Sequence, residues 1–189
     1  MRGLLVTGTD TGVGKTVVSA ALLAAMGAEG EGVAAFKPAV SPHLAAELGR
    51  IRIEPERVLA LARAAGAQRT LVVEGVGGLL VPLTTTFSVC DLAVELGLPL
   101  VVVARPGLGT ISHTLLTVLH ARSRGLDVRG VILNRWPEPA GAMERSNRTT
   151  IERGAGVEVT TLTELHGPDP RALAAAGAAL PWKSWLGGG

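Results

Sequence analysis

Only three lysines occur among the 18 Lys and Arg residues, at Lys15, Lys37 and Lys183. Two of them stand where an ammonium group can work on phosphate. Lys15 lies in the run Gly8-Thr9-Asp10-Thr11-Gly12-Val13-Gly14-Lys15-Thr16, which follows the apolar Leu4-Leu5-Val6 and opens an Ala-rich segment. In such a strand–loop–helix unit, backbone N–H groups freed by the glycines converge on phosphate oxygens, and the helix N-terminus adds its positive dipole end. Lys15 then reaches the β/γ-phosphates, and Thr16 offers its hydroxyl to Mg²⁺. The general pattern G-x-x-x-x-G-K-[ST] asks for glycine at position 9; this chain has Thr9, with Gly8 one place earlier. A chain that meets its ordinary need for positive charge with arginine, yet keeps lysine at the loop, favours function over a mere glycine bend.

The second lysine ends the apolar stretch Gly32-Val33-Ala34-Ala35-Phe36 and precedes Pro38. It therefore sits at the carboxyl end of a predicted strand, the edge at which open α/β sheets bind ligands. A third group of this kind is Glu74, read as the end of the apolar strand starting at Thr70 and followed by Gly75-Val76-Gly77-Gly78. A carboxylate there can hold Mg²⁺ directly or through water. The glycines beyond it, Gly75, Gly77 and Gly78, let backbone lie close to a ligand. Asn134 closes another strand, Gly130 to Leu133, at the same edge.

The elements that must position these groups alternate. Helices are predicted over Val17–Met26, Pro55–Ala65, Phe87–Leu96, Thr110–Arg122, Ser146–Arg153 and Pro170–Ala179, with Ser41-Pro42 opening a further one. Strands lie between them, ending with Leu100–Ala104, Gly130–Leu133 and Val157–Val159. This order argues an α/β fold of three layers, a doubly wound and mostly parallel sheet of the P-loop NTPase kind, forming one domain over residues 1–189. The tail from Trp182 to Gly189 is expected to be mobile.

Bulk properties narrow the function classes. Mean hydropathy is +0.37, yet no apolar run approaches the ~20 residues of a membrane span. Net charge is +2 and aromatics are 3%, so neither a basic block nor a stacking platform for nucleic acid is present. The single Cys90 permits no internal disulfide and fits a reducing, cytoplasmic setting.

Taken together, the Gly8–Thr16 loop, Lys37-Pro38, Ser41-Pro42-His43-Leu44-Ala45-Ala46, Val73-Glu74-Gly75-Val76-Gly77-Gly78 and the strand ending on Asn134 resemble the dethiobiotin synthetases, over nearly the whole chain. The displaced first glycine is that family's own pattern. The resemblance implies ATP-dependent carboxylation of 7,8-diaminopelargonic acid with CO₂, phosphorylation of the carbamate, and closure of a ureido ring by the second amine. It implies Lys15 and Lys37 around the carbamate and γ-phosphate, and Thr11 and Ser41 hydrogen-bonding the carbamate or amine. Thr16 and Glu74 would hold Mg²⁺, and Asn134 would read adenine. Thr9, Asp10, Gly12, Val13 and Gly14 would cradle the nucleotide, and the Gly75–Gly78 turn would face the diamine. A homodimer is implied too, with Gly109, Thr110, Ile111 and Ser112 near the partner's substrate tail; Ser112 stands where many members have asparagine.

One departure concerns the junction Val40-Ser41. Family members carry an extra segment there, including an aspartate that ligates Mg²⁺, whereas no aspartate occurs here between Asp10 and Asp91. Either the enzyme dispenses with that ligand or the chain given omits a segment; Ser41 correspondingly matches either of two family serines. Two rival readings share the fold. Partitioning and septum-positioning ATPases (the ParA/MinD kind) carry a signature lysine near the start of the loop, where this chain has Thr-Asp-Thr-Gly. Amidotransferases of the cobyrinic-acid type need a further glutaminase domain, for which the chain is too short.

Overall fold

The computed structural model describes residues 1–37, 53–165, 167 and 169–187. Its centre is a six-stranded sheet in the order β2-β3-β1-β4-β5-β6, formed by β1 (Gly3–Gly8), β2 (Val33–Phe36), β3 (Thr70–Gly78), β4 (Leu100–Ala104), β5 (Val128–Trp136) and β6 (Glu158–Thr163). Every neighbouring pair is parallel. The chain fills one side of β1 first and then crosses to the other, so the order reverses at β1, and its carboxyl end is the switch point where such sheets take ligands.

Helices cover both faces. Alternation along the strands sends Leu4, Val6, Val72, Val101, Val103 and Ile132 into one core and Leu5, Leu71, Val73, Leu100, Val102, Val131 and Leu133 into the other. The first core is closed by α1 (Lys15–Ala28), with Leu22 and Met26, and by the C-terminal residues Leu180, Trp182 and Trp185. The second is closed by α2 (Pro55–Ala65), α3 (Val89–Leu96), α4 (Thr110–Ser123) and α5 (Ala142–Ala155). Strands buried on both faces explain why β4 reads as the unbroken apolar run Leu-Val-Val-Val-Ala.

Within the described residues the predicted elements are present with shifted ends, the helix expected from Ser41-Pro42 lying outside them, and three differences bear on the site. First, β3 does not stop at Glu74: it runs on to Gly78, with Val6 beside Glu74, Gly8 beside Gly78, and an irregularity between. The glycines are sheet residues with no side chain to pack, which is why sequence alone marks them as a turn. Second, β5 continues past Asn134 to Trp136, with an irregularity at Arg135, whose φ is 59°. Third, the expected mobility of the tail fails for its first residues. Helices α6 (Pro170–Ala178) and α7 (Trp182–Trp185) return to the body, and Trp182 and Trp185 are buried. Trp185 fills the space over Gly130, where a Cβ would lie 2.9 Å from its indole nitrogen. Gly177 likewise lets α6 press onto α1, since a Cβ there would collide with the Ala21 carbonyl. Cys90 is buried and free.

Candidate functional site

The loop after β1 is held by contacts from three directions. The Thr9 N–H donates to the Val103 carbonyl at 3.0 Å, which ties the loop to β4. Arg105, just beyond β4, donates to the Thr11 carbonyl at 2.8 Å and approaches Asp10 Oδ2 at 3.4 Å. From β5, Asn134 donates its amide to the Val13 carbonyl at 2.8 Å and is 3% exposed. This last contact dictates the residue beside it. A Cβ on Gly14 would fall 1.9 Å from Asn134 Nδ2, and Gly14 has φ of +100°, so both space and backbone demand glycine. Gly12, with φ of +72°, gives the loop its other left-handed residue.

Lys15 begins α1 and folds back over the loop, donating to the Asp10 carbonyl at 2.9 Å. It is 7% exposed. Burial pushes its ammonium below the ordinary lysine range, Glu74 and Asp10 pull the other way, and Lys37 adds a small further depression. Thr16 donates its hydroxyl to Glu74 Oε1 at 2.7 Å. Lys37 reaches the same pair, 2.8 Å from Glu74 Oε1 and 3.2 Å from Thr16 Oγ1. The register makes this possible: Phe36 lies beside Val73, so the next residue on each strand, Lys37 and Glu74, fall side by side.

These groups converge on a cleft of about 270 Å³ lined by Thr11, Gly12, Gly14, Lys15, Thr16, Lys37, Glu74, Gly75, Val76, Gly77 and Arg135. Most residues singled out by sequence are therefore together. Asn134 is placed beneath the loop, where one of its amide hydrogens is spent on Val13. Gly78 lies against Gly8 and Thr9 and faces a separate cavity of about 190 Å³ with Leu80, Leu116, Thr117 and His120. Gly77 has φ of +60° and a Cβ there would lie 2.7 Å from Val81, so the neighbouring protein already accounts for its lack of a side chain. Thr9 and Asp10 hold the loop but do not line the cleft. Ser41 and the Ser-Pro-His run lie outside the described residues. Sequence reading missed Arg105 and Arg135; Arg105 follows β4 and Arg135 lies at the irregular end of β5, and their only signal is that place at the sheet's carboxyl edge.

Thr16 and Glu74 suit Mg²⁺. They are hard oxygen donors 2.7 Å apart, close to the ~3 Å separation of adjacent ligands in an octahedron with bonds of about 2.1 Å. Among the described residues no group of three or more His, Cys, Asp or Glu side chains could cage a metal.

A family profile described as "AAA domain" matches residues 2–41 and 34–165. The ATP-dependent dethiobiotin synthetase BioD of Anaeromyxobacter sp. (strain K) is 46% identical over 172 residues, covering 71% of this chain and 77% of that protein. The chain belongs to the dethiobiotin synthetase family. The BioD protein of Paramagnetospirillum magneticum is 39% identical over 208 residues, with 96% of this chain and 95% of the relative covered. That span exceeds the 189 residues of the chain, so this synthetase carries internal residues with no counterpart here. The two profile segments overlap at residues 34–41, the neighbourhood of the Val40-Ser41 junction. Among solved structures, a ParA family ATPase from Chlorobium tepidum superposes with a TM-score of 0.61 at 16% identity, over 98% of this chain and 95% of that one. At that identity the likeness establishes the P-loop fold alone. No helix among the described residues is long and apolar enough to cross a membrane.

Proposed function

We propose that this synthetase carboxylates 7,8-diaminopelargonic acid with CO₂ and ATP and closes the ureido ring, giving dethiobiotin, ADP and phosphate for biotin synthesis. The observation that carries the reading is the pair of lysines lining one cleft, Lys15 from the phosphate loop, folded onto the Asp10 carbonyl, and Lys37 just after β2, in contact with Thr16 and Glu74. An ATP-switched partitioning protein needs the loop and its lysine. It has no evident use for a second ammonium at the end of β2.

In this reading one amine adds to CO₂ and loses a proton, giving a carbamate. A carbamate oxygen takes the γ-phosphoryl group as ADP departs, and the second amine then attacks the carbonyl carbon and expels phosphate. Lys15 and Lys37 stabilise the negative charge that gathers on the transferring group, a contribution that matters most in a site shielded from water. The loop N–H groups hold the phosphates. The Thr11 hydroxyl and Ser41 bind carbamate or amine, and Asn134, pinned by Val13, keeps its second amide hydrogen and its carbonyl for adenine. Thr16 and Glu74 hold Mg²⁺, which when bound neutralises phosphate charge. The enzyme works as a cytoplasmic homodimer, with Gly109, Thr110, Ile111 and Ser112 close to the partner's substrate tail.

The test is ADP release from Mg-ATP and bicarbonate with and without the diamine. Release should depend on the diamine; equal release in its absence overturns the assignment. Lys37→Gln should lower turnover by about 10²-fold while calorimetry shows ATP binding largely kept.

A further inference from the structure

Lys37 does not point into open cleft. Its ammonium rests on Glu74 Oε1 at 2.8 Å and Thr16 Oγ1 at 3.2 Å, the same two oxygens that suit a divalent cation. From this geometry we propose that Lys37 is an exchangeable occupant of the cation position: it covers the Thr16–Glu74 pair in the nucleotide-free enzyme and is displaced toward the phosphoryl group when Mg²⁺ arrives. The inference rests on the reading of Thr16 and Glu74 as the metal-holding pair.

The physical reason lies in Glu74. It is 7% exposed, and a carboxylate so enclosed needs a partner of opposite charge. Lys15 is near, but its ammonium is committed to the Asp10 carbonyl. Among the described residues Lys37 is the cation in direct contact, and its own side chain is 56% exposed. An exposed, flexible stem can leave without opening the core, whereas Glu74 and Thr16 are fixed by β3 and the first turn of α1. The two states therefore differ by rotation about one side chain. The exchange couples two requirements of the reaction, since the event that loads the metal also frees the second lysine for the transferring group. A metal that binds only molecules with the pair uncovered has its apparent Kd raised by the reciprocal of that fraction.

Mn²⁺ binding to the nucleotide-free protein, followed by electron paramagnetic resonance, tests this without turnover. Lys37→Ala and Lys37→Gln should bind Mn²⁺ about tenfold more tightly than the wild type, corresponding to a pair that is covered in about nine molecules of ten. Lys37→Arg, which keeps the charge, should not tighten binding. Glu74→Gln and, separately, Thr16→Ala in the Lys37→Ala background should weaken it. Equal Mn²⁺ affinity in wild type and both charge-removing variants overturns the exchange while leaving the metal pair intact, provided Glu74→Gln still weakens binding. Mn²⁺ binding insensitive to both Glu74→Gln and Thr16→Ala, or no binding to Lys37→Ala, overturns the metal reading and the exchange together.

Discussion

Gly14 and Asn134 form one unit although 120 positions of chain separate their motifs. The asparagine amide occupies the volume that a Cβ at Gly14 would need and donates to the Val13 carbonyl beside it. Gly14→Ala should therefore abolish measurable ATP affinity, through the clash and the strain of φ at +100°. Asn134→Ala leaves the Val13 carbonyl without its donor and should cost about 1–2 kcal/mol in stability, together with a weaker ATP affinity. Calorimetric ATP titration and urea unfolding of both variants check the pair; unchanged affinity in Gly14→Ala would contradict the packing argument. At this scale the sequence was informative wherever a motif is contiguous, as in the Gly8–Thr16 loop. It was silent about contacts set by register, such as Lys37 on Glu74, and about Arg105 and Arg135, for which no spacing rule exists.

Among the elements, α3 is the one whose start is most tightly specified. Ser88 and Asp91 cap it reciprocally, with the Asp91 N–H donating to Ser88 Oγ at 3.2 Å and the Ser88 N–H donating to Asp91 Oδ2 at 2.8 Å. Arg124, beyond α4, adds an ion pair at 2.8 Å. The Ser88 hydroxyl first, and then Arg124, hold the Asp91 carboxyl at about 2, against an ordinary 3.8. A carboxyl with a depressed folded-state pKa contributes stability above its unfolded value and loses it as pH falls through the folded one. Asp91→Ala should thus destabilise the protein by about 1–2 kcal/mol at pH 7, allowing for solvent around the pair. The difference from wild type should fade between pH 4 and pH 2, and unfolding midpoints across that range measure it. This helix was predicted over Phe87–Leu96, and only its start moved, to Val89, because the cap side chain fixes the boundary. The two longer strands were harder to bound: the glycines after Glu74 and the Asn134–Pro137 stretch read as strand ends, yet Gly78 and Trp136 are still paired to neighbouring strands beyond an irregularity.

At the scale of the whole molecule, the two cores bury most large apolar side chains of the described residues; of the exposed ones some, such as Met1 and Leu61, are scattered, and others lie on or beside α4. Leu116 is 63% exposed, Leu119 58%, and Leu80, across the cavity beside β3, 65%. Isolated surface leucines are ordinary, but a group on one helix face beside the proposed partner contact supports a second copy as its cover. Sedimentation should give twice the mass of one chain, and Leu116→Glu with Leu119→Glu should yield a folded monomer with impaired diamine-dependent ADP release. A wild type that sediments as a monomer would remove the dimer from the proposal. The overall architecture was readable because alternation of buried strands and amphipathic helices is a property of long segments. The C-terminal closure was not, since a glycine-rich tail with two tryptophans gives no periodic signal; what fixes α7 is the gap that Gly130 leaves for Trp185. The stretch containing Ser41 lies outside the described residues.

The position of β2 has a dynamic consequence. Among the described residues it is a four-residue strand at the rim of the sheet, bonded to β3 alone and only half covered, whereas β1 is enclosed between two neighbours. Local stability follows that difference in anchoring. Brief detachment of the rim strand would withdraw Lys37 and leave the phosphate cradle assembled, so the capacity to hold nucleotide and the capacity to transfer its terminal group reside in parts of different durability.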